Sequence, residues 1–141
     1  GYWNRSEATL EAIDGLGWFH SGDIGYLDAE DFLFLCDRVK DMVITGAENV
    51  YPAEVESVLY GHPAIAEVAV IGLHDDKWGE AVTAIVVLEE GATLTLEELR
   101  DFAGESLARY KLPSRLFMSD LLPRNPAGKV QKFKLKDQFA A

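Results

Sequence analysis

Two runs of small aliphatic and β-branched residues, 68–73 and 81–88, leave the chain few ways to fold. Both are rich in Val and Ile and too short for independent helices. They flank a turn-forming stretch, Asp75-Asp76-Lys77-Trp78-Gly79, and so predict an antiparallel strand pair. Neither run alternates cleanly between apolar and polar residues, and apolar segments elsewhere have helical spacing. Residues 52–60 carry Val55, Val58 and Leu59 on one side, with Pro52 at the first helical position and His62-Pro63 ending the helix. Thr95 caps a second helix over 96–108, helped by Glu98 three residues on. Residues 42–45 and 115–118 read as further strands, 46–49 as a turn, and 130–139 as a closing helix. The order β-α-β-β-α-β-α over 42–139 predicts an α+β fold, a three-stranded sheet flanked by helices plus a short β-hairpin.

The first forty residues read differently. A short amphipathic helix over 4–13, capped by Asn4 or Ser6 with Leu10 and Ile13 on one face, is broken by Gly15 and Gly17. A strand at 18–20 leads into Ser21-Gly22-Asp23, and strands 25–27 and 32–36 are joined by the turn 28–31. Asp37-Arg38-Val39-Lys40-Asp41 holds four charges in five residues and reads as a domain junction. There is no initiator Met, and Gly1-Tyr2-Trp3 suggests a piece of a longer protein.

Charge narrows the functional classes. The net charge of −11 disfavours general nucleic-acid or anionic-membrane binding. Residues 122–141 nevertheless carry a net +4, a small basic end suited to a phosphorylated small molecule or simply to a solvated helix. The single Cys36 lies in an apolar run. It excludes an internal disulfide and a cysteine-based zinc site and fits a reducing cytoplasm. His20, His62 and His74 have no ligand-like spacing, so no metal site is predicted. No stretch is long and apolar enough to span a membrane.

The chemistry-bearing candidates are few. In Leu122-Pro123-Arg124-Asn125-Pro126-Ala127-Gly128-Lys129 the prolines fix φ and the Asn and Gly permit a tight bend, so the loop delivers one ammonium. Lys129 is then either a solvated surface residue or a point charge for phosphate oxygens. Asp23 beside Gly22 can accept two hydrogen bonds from a vicinal diol such as ribose, and is equally a turn aspartate. The Arg38 guanidinium suits phosphate or ribose oxygens, with a surface ion pair as the alternative. Lys40 suits a hinge. Small residues in the stretch 45–52 would let a thin ligand pass close to backbone or simply make a strand-to-helix turn, and Trp78 either offers a face for a base or an alkyl chain or packs at the core edge.

Taken in order, these segments resemble the C-terminal end of the AMP-forming acyl-CoA synthetases, the adenylate-forming, luciferase-like family. The resemblance rests on Gly17-Trp18-Phe19-His20-Ser21-Gly22-Asp23, Asp37-Arg38-Val39-Lys40-Asp41, the stretch 46–56 and the stretch 123–132, and it covers essentially the whole chain. Its wording is most like the fatty-acid–CoA ligases. The resemblance implies a two-step reaction: a carboxylic acid attacks the α-phosphate of ATP, and the CoA thiol then displaces AMP. It implies Asp23 and Arg38 at the nucleotide, Lys40 as hinge and Lys129 as the adenylation lysine. It places Gly46, Ala47, Glu48, Trp78, Tyr110 and Lys111 near CoA. Mg2+ would be bound mainly by a domain preceding residue 1.

The same resemblance makes 1–39 the end of that N-terminal domain and 40–141 a mobile C-terminal lid domain. The isolated chain is expected to be inactive, and a homodimer stays open. Ser21 stands where the family usually has Thr, and Ala47 where it usually has the second glycine of a pair. An aryl-CoA ligase, another adenylating enzyme, and a non-catalytic association or CoA-sensing module are the alternatives.

Overall fold

The two Val/Ile runs form the centre of the second of two compact units in a computed structural model that describes residues 1–140. The chain divides after Lys40, into residues 1–40 and 41–141.

In the second unit, β5 (Ile65–Asp75) and β6 (Gly79–Leu88) pair antiparallel along their whole length. Residues 68–73 and 81–86 are all buried, which explains why the pattern is continuous rather than alternating: helices cover both faces. On one face Val68, Val70, Val82, Ala84 and Val86 pack with Val55 and Leu59 of α2 (Pro52–Leu59) and Leu99 and Ala103 of α3 (Leu96–Gly104). On the other, Ala69, Ile71, Leu73 and Ile85 meet Leu122 and Leu135, the latter from α4 (Lys132–Phe139). The buried Thr83 hydroxyl donates to the Ala81 carbonyl at 3.0 Å.

The sheet has five strands. β7 (Arg115–Met118) runs parallel to β6, giving the expected three-stranded core. The hairpin of β3 (Val43–Thr45) and β4 (Glu48–Val50) joins β6 through Thr45 opposite Gly79. Of residues 46–49, expected as a turn, only Gly46 (φ 57°) and Ala47 (φ 68°) form the hairpin loop, both at positive φ, while Glu48 and Asn49 belong to β4. The Thr95–Glu98 capping box is present, with Thr95 N–H donating to Glu98 Oε2 at 2.8 Å and Glu98 N–H to Thr95 Oγ1 at 3.2 Å. α3 stops at Gly104 rather than 108. Glycine weakens the helix, and the chain turns so that Leu107 reaches the core.

The first unit departs further from expectation. α1 spans Ser6–Ala12, and its N-cap is Arg5 without a side-chain bond. Asn4 instead takes φ 52°, bending the chain back so that Thr9 Oγ1 accepts from Tyr2 N–H and donates to the Arg5 carbonyl. α1 buries no residue, and Leu10 is exposed. The expected strand at 18–20 is a single bridge, Ile13 to Phe19. Asp14 Oδ1 accepts from Leu16 and Trp18 N–H and folds the segment into a loop. β1 (Asp23–Leu27) and β2 (Leu33–Arg38) form an antiparallel hairpin, irregular between Ile24 and Gly25. A Cβ at Gly25 would stand 2.5 Å from the Phe34 carbonyl oxygen, so the irregularity requires glycine. No residue of 1–40 is buried, although Trp3, Leu16, Trp18 and Leu35 are all apolar.

Candidate functional site

Asp23 opens β1 and Arg38 closes β2, and the register makes them direct cross-strand partners. Sequence reading put both outside regular strand. Here strand pairing aligns them, with Arg38 Nε 3.3 Å from Asp23 Oδ1. Ser21 Oγ accepts from Asp23 N–H at 3.2 Å, and the Gly22 carbonyl accepts from Val39 N–H at 2.8 Å. The carboxylate and guanidinium both remain partly exposed, so each keeps capacity for a ligand. Lys40 is the last residue of this unit.

In the second unit the 124–130 loop is a small closed structure. Arg124 and Val130 form a bridge at its base, and the Asn125 side chain accepts from Ala127 N–H (3.0 Å) and Lys129 N–H (2.9 Å). Gly128, at φ 80°, supplies the left-handed corner. Arg124 Nη1 donates to the Gly128 carbonyl at 2.7 Å, and its Nη2 pairs with Glu67 of β5. Glu67, and then the Tyr60 oxygen, push the Arg124 guanidinium further toward its protonated form. The Lys129 side chain is exposed and has no ion-pair or hydrogen-bond partner among the described residues.

A cleft of about 540 Å³ opens at the far end of the sheet. Thr45, Gly46 and Glu48 from the hairpin, Trp78 from the β5–β6 turn, and Tyr110 from the 3-10 turn Arg109–Lys111 contribute to its walls. Asp75 builds the Trp78 corner: its Oδ1 accepts from Trp78 N–H at 3.0 Å and Lys77 N–H at 3.1 Å. Those two amides, then Arg115, hold the Asp75 carboxyl below the usual aspartate range. Gly46 N–H donates to the Trp78 carbonyl at 2.9 Å, and a methyl added at Gly46 would stand 2.8 Å from the indole.

Two predicted residues stand apart from the cleft walls. Ala47 is at the hairpin tip, and Lys111 binds both oxygens of Glu54 at 2.6 and 2.7 Å, which raises its pKa. Two guanidiniums that sequence reading missed are present instead. Arg100 lines the cleft while donating to the Pro113 carbonyl at 2.6 Å, and Arg109 lines it with no side-chain partner among the described residues. Only the position of Arg109 beside the flagged Tyr110 could have pointed to it.

The loop and the cleft are far apart. Glu67, which anchors the loop, and Asp75, which builds the Trp78 corner, are separated along β5 by about 26 Å at roughly 3.3 Å per residue. No group of three His, Cys, Asp or Glu side chains among the described residues is arranged to hold a metal ion. No helix among them is long and apolar enough to cross a membrane.

The sequence model of the family described as AMP-binding enzyme C-terminal domain matches residues 54–129, more than half of the chain. The chain belongs to that family. It is 51% identical, over 99% of its length, to the long-chain-fatty-acid–CoA ligase FadD13 of Mycobacterium tuberculosis. It is also 51% identical, over 96% of its length, to the 2-succinylbenzoate–CoA ligase of Geobacillus kaustophilus. Among solved structures it superposes with the o-succinylbenzoate CoA synthetase of Bacillus subtilis, in complex with the acyl-adenylate intermediate OSB-AMP. That match has a TM-score of 0.88 and 47% identity, and covers 97% of the chain. The chain spans only 27–28% of the length of these relatives.

Proposed function

We propose that this chain is the C-terminal part of an AMP-forming acyl-CoA synthetase that acts on a fatty acid in the cytoplasm. The observation that carries the reading is the separation of two chemically different features along β5. One is a free ammonium on an ordered loop, and the other a cleft walled by aromatic faces and guanidiniums. Acyl-CoA synthesis needs one of each, at different times.

In the first step the carboxylate oxygen attacks the α-phosphorus of ATP, and the bond to the bridging oxygen breaks with its electrons leaving on pyrophosphate. Lys129 stabilises the negative charge that gathers on the phosphoryl and carboxylate oxygens. Asp23 accepts from the ribose hydroxyls, while Arg38 holds the carboxylate in place and donates to the ribose and phosphate region. In the second step the CoA sulfur attacks the acyl carbonyl and AMP leaves with the C–O electrons. The cleft holds CoA for this step, with Trp78 and Tyr110 against its flat or alkyl parts and Arg109 on a phosphate.

The loop's anchor Glu67 and the cleft's Asp75 are about 26 Å apart along β5, so this reading has the second unit present the loop and the cleft to the reaction centre in turn, with Lys40 as the pivot. Residues 1–39 belong to the preceding nucleotide-binding domain, which would cover their unburied apolar side chains. The residues described here offer no Mg2+ centre, so an ion accompanying ATP would be bound elsewhere in the enzyme. On this reading the isolated chain should carry out neither half-reaction.

Lys129→Ala in the full-length enzyme tests the reading. Acyl-AMP formation should fall by about 10²–10³ while supplied acyl-AMP is still converted with CoA. Survival of both half-reactions would remove Lys129 from the mechanism. A second reading, an aryl-CoA ligase, is favoured by the equal 51% identity to the 2-succinylbenzoate enzyme. Rates with palmitate and with 2-succinylbenzoate separate the two.

A further inference from the structure

The Lys129 ammonium has no hydrogen-bond or ion-pair partner among the described residues, so the position of its backbone decides where it reaches. Within the loop, Asn125 closes the turn through its side chain and through its N–H, which donates to the Lys129 carbonyl at 2.9 Å. Those bonds fix the loop's shape and not its place on the fold. Leu122 and Val130 seat its two flanks against the core, and two ion pairs fix its place further. Before the loop, Arg124 forks between the Gly128 carbonyl, at 2.7 Å, and Glu67 on β5, at 2.5 Å. After the loop, Lys132 Nζ lies 2.7 Å from Glu56 Oε1 of α2, and that oxygen also accepts from Val70 N–H of β5.

The two pairs differ in environment. Lys132 and Glu56 are largely buried, whereas Arg124 and Glu67 each keep about two-fifths of their side chain exposed. An exposed pair adds little to global stability. Arg124 also grips the loop next to Lys129 and the sheet at once. A planar guanidinium can do this because its donors diverge, whereas a lysine presents a single centre.

We propose that Arg124, clamped by Glu67, is a positioning residue for Lys129, needed for adenylation and dispensable for thioester formation. The inference rests on the adenylation role of Lys129 proposed above. Arg124 touches neither substrate nor reacting atoms; it acts through the Gly128 carbonyl, one residue before the lysine.

The test uses the full-length enzyme with palmitate, or 2-succinylbenzoate if the wild type prefers it. Pyrophosphate release reports the first step, and conversion of supplied acyl-AMP with CoA reports the second. For Arg124→Ala the first-step kcat should fall about 10–100-fold, since a misplacement near 1 Å costs that much. KM for ATP and acid, the second half-reaction and the melting temperature should stay near wild type. Glu67→Gln, which keeps shape and removes the charge, should show the same pattern more weakly. Arg124→Lys should recover part of the rate. The charge-swapped double variant R124E/E67R should stay slow, because a carboxylate cannot donate to the Gly128 carbonyl. Wild-type adenylation in Arg124→Ala, equal loss of both half-reactions, or full recovery in the swapped pair would each overturn the clamp. Lys129→Ala run alongside keeps the two ideas separate. If it loses adenylation while Arg124→Ala does not, the clamp alone fails. If Lys129→Ala adenylates normally, the reading beneath the clamp fails first.

Discussion

Replacing Ala47 by glycine turns the hairpin geometry into a number. The two-residue loop between β3 and β4 needs positive φ at both central positions, and Gly46 and Ala47 supply φ 57° and 68°. For an L-residue with a Cβ that conformation costs roughly 1–2 kcal/mol. Glycine avoids the cost but loses more freedom on folding, about 0.4–1 kcal/mol. The difference predicts that Ala47→Gly stabilises the second unit by about 0.5–1 kcal/mol. For a unit of this size the melting temperature should then rise by roughly 2–8 °C. Thermal and urea unfolding followed by circular dichroism read it directly. Gly46→Ala is the opposite control: its new methyl would take the same disfavoured φ and stand 2.8 Å from Trp78 Cε3, so it should lower the midpoint. A fall in stability on Ala47→Gly would refute the strain argument. In the full-length enzyme the same substitution should leave acyl-AMP formation unchanged and alter, if anything, only the CoA step. Slower adenylation would remove this hairpin from the CoA side of the molecule.

Two other outcomes follow from the charge arrangement. The Asp75 carboxyl is held below its usual range first by the Trp78 and Lys77 amides and then by Arg115, and Glu98 is held down by Thr95. A depressed folded-state pKa gives stability that is full above the unfolded value and lost as pH falls through the folded one. Acid should therefore lower the melting midpoint below about pH 4, and Asp75→Asn with Glu98→Gln should flatten that dependence. An unchanged slope in the double variant would refute the assignment. Arg109→Ala should raise KM for CoA about 3–10-fold, the worth of one exposed charge-assisted contact, without affecting adenylation or KM for pantetheine. A matching rise for pantetheine would place Arg109 away from the phosphates.

The elements of the second unit were legible because each carries a local physical signature. Continuous Val/Ile runs need cover on both faces, and the structure supplies α2 and α3 on one side and α4 on the other. Thr95 with Glu98 is a capping pair that works wherever the helix lies. The first unit was read less well for the same reason. Its helix and strands have no core of their own, so apolar spacing at Leu10 and Ile13 did not indicate a buried face. Asp14, accepting two amides, turned an expected strand into a loop.

The candidate site divides along a similar line. Lys129, Trp78 and Tyr110 could be proposed from sequence because the turn or resemblance that presents each lies within a few residues of it. Glu67 and the Lys111–Glu54 pair could not, because their meaning depends on partners brought close by the fold: Glu67 and Arg124 are 57 residues apart, as are Glu54 and Lys111. Arg109 lines the cleft only because the fold brings its turn beside the hairpin and Trp78. Local sequence therefore pointed to Lys129, Trp78 and Tyr110, and tertiary structure added the cleft guanidiniums and the residues that hold the loop and turns in position. The distinction has a mechanistic consequence. A group proposed to meet substrate has to be left without partners, as Lys129 is among the described residues, and its placement then has to come from residues spent on one another. The Arg124–Glu67 pair contributes little to global stability but holds such a loop in register, and its effect belongs in a rate rather than a melting temperature.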